Sequence, residues 1–423
     1  MVEGVVQSQK LPALLYADDI VLVADSGEEL QRLLDVCSLR ASQLGLRFSA
    51  RKSAVMTWGA PEMGDVGQVL TLQERVIPSV SSYRYLGVQL TAGGDYLVAH
   101  EKLAHEKALR GQGVLKARAL WAFSRMEVVR GLWKAVMVPG LTFGNAVLCL
   151  SSATREFLER RQREVGRQAL GAHRSTPNEA VQGDVGWSAF EAREAVAKLG
   201  FEIRSWALGQ ERWVNRVRRC LLYSSLSTRW VKRVRGLATK FEVPLPALCD
   251  LKGTSLSRGQ LRARVSATET HRWRTTAENK SALSTYCARK TEIKQERFYD
   301  NSVGSSLLFE ARAGVLRTRL WWAKCKRQDA TEAEVTCVVC QQEKETAEHV
   351  VLTCPVLQPQ HPVGTLFAQA LGFPPLRPLD GNAAAIATAD IGGTDAVADA
   401  VKTTKRRLTL WRELSMKTRK TPK

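Results

Sequence analysis

No apolar run in this chain is long enough to cross a bilayer as a helix, which takes about 20 residues. The nearest stretch, Ala135 to Leu150, is interrupted by Pro139, Gly140, Gly144 and Asn145. It reads as a buried, kinked helix pair. Met1 to Lys10 carries Glu3, Gln7 and Gln9 where the apolar core of a secretory leader would begin, so the opening does not read as one. A disulfide rhythm is also missing. The nine cysteines are odd in number, and Cys37, Cys149, Cys220, Cys249, Cys287 and Cys325 are scattered. That excludes a disulfide framework and points to a reducing compartment, with the nucleus or cytoplasm expected. No fixed-period repeat appears. Acidic residues are scarce, 42 against 62 lysines and arginines, which leaves a formal charge of +20 over 423 residues. Such an excess favours a polyanionic partner, nucleic acid before a membrane surface. The length admits two to four domains with real cores.

What the chain does contain begins with Leu11 to Ala24, two short apolar runs on either side of Ala17-Asp18-Asp19. This predicts a buried β-hairpin with a polar turn. Glu28 to Leu46 has helical spacing, opened by Asp25-Ser26-Gly27 and stopped near Gly45. Phe48 to Trp58 and Tyr83 to Leu90 read as strands, so the first ninety or so residues are α+β. From about His100 the pattern becomes helical, with basic residues on the outer faces. In Ala153 to Leu170 a stripe of Leu158, Val165 and Ala169 faces away from a run of arginines. Residues 212–240 carry Arg212, Arg216, Arg218, Arg219, Arg229, Lys232, Arg233 and Arg235 among Trp213, Tyr223 and Trp230. A solvated helix face is the plain reading of such a stretch. A phosphate-binding face is the sharper one, because so acid-poor a surface repels itself unless neutralised. Pro355 to Ala389 reads as loop and linker. A last helix, Asp395 to Leu414, should bury Val397, Val401, Leu408 and Trp411 ahead of a basic tail.

Two sets of residues carry chemistry. Adjacent carboxylates at a hairpin tip, Asp18 and Asp19, repel each other unless a divalent cation neutralises them. Magnesium suits them, since it takes one or two protein carboxylates and leaves its other positions to water and phosphates. Further along, Cys337-Val-Val-Cys340, then His349 and Cys354, form a CxxC…HxxxxC set with the donor types of a closed, tetrahedral, structural zinc site.

Tyr16-Ala17-Asp18-Asp19, then Leu44-Gly45-Leu46-Arg47-Phe48-Ser49-Ala50-Arg51-Lys52-Ser53, then Tyr83-Arg84-Tyr85-Leu86-Gly87-Val88 occur in an order and spacing that resembles the later palm motifs of reverse transcriptases. Ser49 departs from the asparagine common there. The cysteine set and the preceding Arg312…Arg317-Thr-Arg319-Leu-Trp-Trp-Ala-Lys324, with Glu345, resemble the C-terminal region of enzymes from non-LTR (LINE-type) retrotransposons. The resemblance implies a fold of α+β class: a partial palm over 1–92, a helical thumb over 93–200, a basic helical connector over 201–330, a zinc knuckle over 331–360, and a linker with a basic helix over 361–423. It implies RNA-directed DNA polymerisation with magnesium at Asp18 and Asp19. Lys52 would serve as the lysine that protonates the leaving pyrophosphate, where a surface lysine is the plain alternative. Tyr85, Leu86 and Gly87 would hold the primer end, where glycine permits close backbone approach. Partners would be an RNA template, a DNA primer or target, and deoxynucleotides, with no membrane. The expected contacts to nucleic acid are Arg216, Arg218, Arg219, Arg233, Arg235, Arg317, Arg319, Lys405, Arg406 and Arg407. The same resemblance implies that the early-palm aspartate and the fingers lie ahead of the turn, outside these residues, so the chain alone would be catalytically incomplete. The rival expectation is a non-catalytic RNA- or DNA-binding protein that uses the basic helices and the zinc knuckle.

Overall fold

The computed structural model describes residues 11, 13–59, 69–93, 97–119, 124–223, 226–245, 256–326, 331–374 and 386–420. The expected basic tail beyond Lys420 lies outside the described residues. The chain divides into two compact units. The first comprises Met1–Ala104 with Gln210–Leu226, and the second His105–Gly209 with Ser227–Lys423.

The strands of the first unit are three separate antiparallel hairpins, β1 (Ala13–Tyr16) with β2 (Asp19–Leu22), β3 (Thr71–Leu72) with β4 (Arg75–Val76), and β5 (Ser82–Tyr85) with β6 (Val88–Thr91). Each closes through a two-residue turn, because Tyr16 pairs with Asp19, Leu72 with Arg75 and Tyr85 with Val88. Such turns need left-handed backbone to match the strand twist. Positive φ is found at Ala17 (52°), at Gln73 and Glu74 (47° and 67°), and at Leu86 and Gly87 (46° and 82°). Of these five residues only Gly87 adopts that region without a Cβ penalty.

Helix α1 (Gly27–Gln43) starts where expected: the Ser26 hydroxyl accepts from the Glu29 N–H at 3.2 Å, and Gly45 follows the helix with φ 70°. From α1 the Gln31 amide both accepts from Thr71 N (2.8 Å) and donates to Thr71 O (3.0 Å). A small core of Leu34, Leu70, Leu72 and Ile77 forms beneath it, with Leu22, Leu30, Phe48 and Val55 packed alongside.

Three expectations change here. The β1–β2 hairpin is not buried: Leu15 is 72% and Tyr16 64% exposed, and Leu14 and Ile20 are also open. Among the described residues these two strands pair only with each other, and Leu22, at the end of β2, reaches the small core while the rest of the ribbon stays open. Phe48 to Trp58 is not a strand. It forms a short 3₁₀ turn at Ala50–Lys52 and a single bridge from Val55 to Ser79. The Ser53 hydroxyl donates to the Ser49 carbonyl at 3.1 Å, a local bond that competes with a ladder. Tyr83 to Leu90 is a hairpin, not one strand, because Leu86-Gly87 turns the chain.

The remaining helices are α2 (Leu97–Ala119), α3 (Arg125–Leu132), α4 (Val138–Thr142), α5 (Ser152–Leu170), α6 (Asn178–Val185), α7 (Phe190–Ala207), α8 (Trp213–Tyr223) and α9 (Arg229–Lys240). They continue as α10 (Arg258–Glu278), α11 (Ser284–Arg289), α12 (Val303–Arg312), α13 (Arg319–Lys326), α14 (Glu332–Val335), α15 (Phe367–Ala370) and α16 (Ile386–Lys420). α8 belongs to the first unit. Among the described residues no helix is long and apolar enough to cross a membrane. In α5 the predicted stripe of Leu158, Val165 and Ala169 is fully buried, and Gly171 ends the helix in a left-handed cap.

The second unit has two cores. One packs α7, α9 and α10 through Leu199, Leu237 and Leu261. The larger one runs from Trp133 and Trp187 to Phe309, Cys337, Cys354 and Trp411. α12 and α16 meet closely where Gly304 lies against the Lys405 carbonyl; an added Cβ would sit 2.1 Å from that oxygen, so only glycine fits. The stretch from Pro355 departs from its expected role as linker: Leu357, Ala368, Leu371 and Phe373 are buried in the larger core. Its Pro and Gly content hid a few well-spaced apolar anchors. Residues 375–385 of that stretch lie outside the described residues. Val401, Leu408 and Trp411 of α16 are buried as expected, with Val397 packed alongside.

Candidate metal centre and carboxylate turn

In the β1–β2 hairpin the two-residue turn is Ala17-Asp18, and Asp19 opens β2. Asp18 and Asp19 are both exposed. The other two motif segments of this unit are joined to one another. The Tyr83 hydroxyl donates to the Lys52 carbonyl at 2.5 Å, and the Trp58 indole N–H donates to the Thr91 carbonyl at 3.1 Å. Lys52 therefore stands at the end of a turn whose backbone is fixed to β5. Tyr85, Leu86 and Gly87 form the tip of the β5–β6 hairpin, with the Leu86 side chain 40% exposed. Tyr83 as the tie to Lys52 is a role that spacing alone did not reveal.

The cysteine set converges more tightly. Ligand atoms of Cys337, Cys340, His349 and Cys354 all lie within 4.8 Å of one another, and this is the one group of three or more candidate metal ligands among the described residues. Cys337, His349 and Cys354 are buried and Cys340 is half-buried. His349 opens a π-helical turn, His349–Thr353, and the Cys354 N–H donates to the His349 carbonyl at 2.8 Å, closing that wider loop. Cys337 and Cys340 flank a tight turn in which Gln341 N–H donates to the Cys337 carbonyl and Gln341 takes φ 57°. Each sulfur is approached by two backbone N–H groups: Val339 and Cys340 at Cys337, Gln342 and Glu343 at Cys340, Val356 and Leu357 at Cys354. Donors arranged this way suit thiolates, so the donor set fits a bound zinc ion. Burial opposes ionisation, yet the Gln342 and Glu343 N–H groups and His349 bring the Cys340 thiol down to about 7. Burial pushes Cys337 up to about 12 and raises Cys354.

His349 Nε2 lies 3.3 Å from Cys340 Sγ, while its Nδ1 is 2.8 Å from a Glu343 carboxylate oxygen and 3.2 Å from the Thr353 hydroxyl. Glu343 thus orients the ring so that Nε2 faces the sulfurs, the carboxylate–histidine arrangement that supports metal ligands. Sequence reasoning pointed to Glu345 and missed Glu343; an acidic residue six before the histidine was the available signal. Glu345 does something different. Its two carboxylate oxygens accept from Arg319 N (2.9 Å) and Val338 N (3.2 Å), tying the start of α13 to the cysteine turn.

The basic residues divide by what they already hold. Arg407 is fully buried; its guanidinium donates to the carbonyls of Cys354 (3.0 Å), Pro359 (3.2 Å) and Leu357 and to Gln360, so it serves the fold and has no face for a phosphate. Arg312, at the head of the run to Lys324, is likewise buried, paired with Asp184 at 3.0 Å and Glu296 at 3.2 Å. Arg233 bonds Glu194 (2.6 Å) and Glu191 (3.3 Å), Arg317 bonds Glu310 (3.2 Å), and Lys405 bonds Asp300 (2.5 Å). Arg319 donates to the Ala333 and Thr336 carbonyls. Arg216 donates to Gln210 O and lies over Trp213, and Arg219 donates to Asn215. Arg218 is half-buried, and Arg235 and Arg406 are exposed. Arg216, Arg218 and Arg219 belong to the first unit and Arg233 and Arg235 to the second, so the basic run of 212–240 is divided between the two units. Of the tryptophans, Trp230 is half-buried with its indole N–H on the Ala146 carbonyl, whereas Trp322 is 42% exposed.

Residues 1–90 match the family described as reverse transcriptase (RNA-dependent DNA polymerase). The match takes in the first two hairpins, α1 and β5, and ends within β6. No curated protein matches the chain.

Proposed function

We propose that this chain carries the later palm and the C-terminal nucleic-acid-binding region of a non-LTR retrotransposon reverse transcriptase. The observation that carries the reading is the Asp18-Asp19 hairpin tip, inside a segment that matches the reverse transcriptase family, with Lys52 and the Tyr85-Leu86-Gly87 tip on joined neighbouring segments. In this reading Asp18 and Asp19 hold magnesium, which neutralises charge on the reacting phosphates. Lys52 supplies a proton to the leaving group, and the β5–β6 tip positions the primer end. Cys337, Cys340, His349 and Cys354 hold zinc, whose closed coordination adds folding energy and no open catalytic position.

A second reading is favoured for the chain acting by itself. Among the described residues no further carboxylate joins Asp18 and Asp19 in a group of three potential metal ligands. The 423 residues alone then bind RNA or DNA without polymerising, through exposed cations such as Arg235 and Arg406. Purified chain, supplied with an RNA template, a DNA primer, deoxynucleotides and magnesium, should incorporate nothing above an Asp18→Ala control. Its binding should weaken steeply with salt, log K falling by roughly 0.7 per phosphate contact on single strands. The transcript upstream of Met1 separates the two readings. An in-frame segment with an early-palm aspartate, expressed together with these residues, should give primer extension that Asp18→Ala abolishes. A stop codon there would leave only the binding activity.

A further inference from the structure

Within the second unit, between the cysteine turn and α16, lies a cleft of about 250 Å³. Its apolar walls are Leu307, Trp322, Val338, Trp411 and Met416, and Arg412 stands at its edge. None of the four metal ligands lines it.

The charges in the cleft are unevenly committed. Glu310 is taken up by Arg317, and Glu345 by the N–H groups of Arg319 and Val338. Arg319 is occupied by two carbonyls. Arg412 is exposed and, among the described residues, holds no carboxylate or carbonyl, so it is the open cation of the cleft. The two indoles differ. Trp411 is 6% exposed, with its Nε1–H buried, so it serves as a wall. Trp322 is 42% exposed and meets Trp321 at 83°, so no ring lies parallel on it among the described residues.

An exposed indole and an uncommitted guanidinium around a small apolar cleft match a base and a phosphate. The volume is below the roughly 300–1,000 Å³ of pockets that enclose larger ligands, so it suits one unit of a chain. We infer that this cleft takes a single unpaired nucleotide of a single-stranded nucleic acid, its base on Trp322 and its phosphate at Arg412. The inference rests on the nucleic-acid reading above and locates one contact within it. Stacking carries the interaction, so any base is accepted and sequence preference is weak.

The test uses the full chain with zinc and a short single-stranded DNA bearing one 2-aminopurine, read by anisotropy and by quenching of that base. Wild type should bind and quench. Trp322→Ala should lose about tenfold in affinity and lose the quenching, with the salt slope unchanged because stacking is not ionic. Trp322→Phe, which keeps an aromatic face, should recover most of the loss. Arg412→Gln should lower the salt slope by roughly one contact, about 0.7. Zinc content equal to wild type certifies each variant's fold. Wild-type affinity and quenching in Trp322→Ala would overturn the cleft while leaving nucleic-acid binding intact. Equal loss of heparin and DNA binding in Trp322→Ala would also overturn it, since heparin has no base to stack. Absence of DNA binding by wild type would overturn both.

Discussion

The hairpins of the first unit and the helical core around Cys337–Cys354 both hold polar groups in fixed positions, but by opposite means. The hairpins rely on backbone geometry: two-residue turns, five residues at positive φ, and a core of only four buried side chains. Much of their apolar surface, including Leu14, Leu15 and Tyr16, faces outward. The cysteine region relies on side chains that hold the main chain and one another: Arg407 on the Cys354 carbonyl, Glu345 on two N–H groups, and Glu343 on the His349 ring. Deeper in the same unit Asp184 accepts from Arg312 and from the Tyr286 hydroxyl. The part of the chain that matches the reverse transcriptase family is thus the part least satisfied by its own packing. The part without a family match is the most internally committed.

The largest expected break in that comparison comes from Cys337→Ser/Cys340→Ser. Metal analysis should show the loss of about one zinc per chain, and hydrogen exchange should show Glu332 to Thr353 unprotected, because structural zinc binding is worth roughly 10–16 kcal/mol in small zinc domains. Protection of the β5–β6 hairpin should not change. Zinc content equal to wild type would refute the assignment.

Next in size is Arg312→Met, which strands Asp184 in the core; urea denaturation should show a loss of about 3–5 kcal/mol in the second unit. Burial alone would raise the Asp184 carboxyl, but Arg312, Lys290 and the Tyr299 hydroxyl hold it below the usual carboxylate range. A folded pKa below the unfolded one means the contribution is present above about 4 and is lost as pH falls through the lower value. Wild type should therefore show an acid-induced loss of stability that the variant lacks in part.

Glu343→Gln is smaller. It leaves the four ligands in place but weakens the orientation of His349, so competition with a chelator should show a 10–100-fold loss of zinc affinity. The smallest effect is expected at the β5–β6 tip. Gly87→Ala introduces a Cβ at φ 82° and should destabilise that hairpin by about 1–2 kcal/mol, read from exchange of the Ser82 to Thr91 amides.

Much of this could be read from residue order. Ser26 as a cap, Gly45 as a stop, the Leu158-Val165-Ala169 stripe and the Cys₃His set all depend on partners within a turn or two or on a fixed donor spacing. The failures share a different cause. Arg233, Arg312 and Arg407 look like surface cations, yet their acceptors are 39, 128 and 53 residues away, on Glu194, Asp184 and the Cys354 carbonyl. Local pattern carries no information about such pairs. The exposure of the β1–β2 hairpin was equally hidden, because alternation along a strand says which face is apolar and not what, if anything, lies against it.

The π-turn at His349–Thr353 makes ligand spacing and helix type a single variable. Positions five apart on an ordinary α-helix point about 140° away from each other, whereas the wider turn brings them round to the same side. Removing one residue between His349 and Cys354 would therefore be tolerated only if the turn also tightened to α-helical pitch. Insertions and deletions in this segment are constrained in pairs of length and pitch, while substitutions at its outward positions are comparatively free.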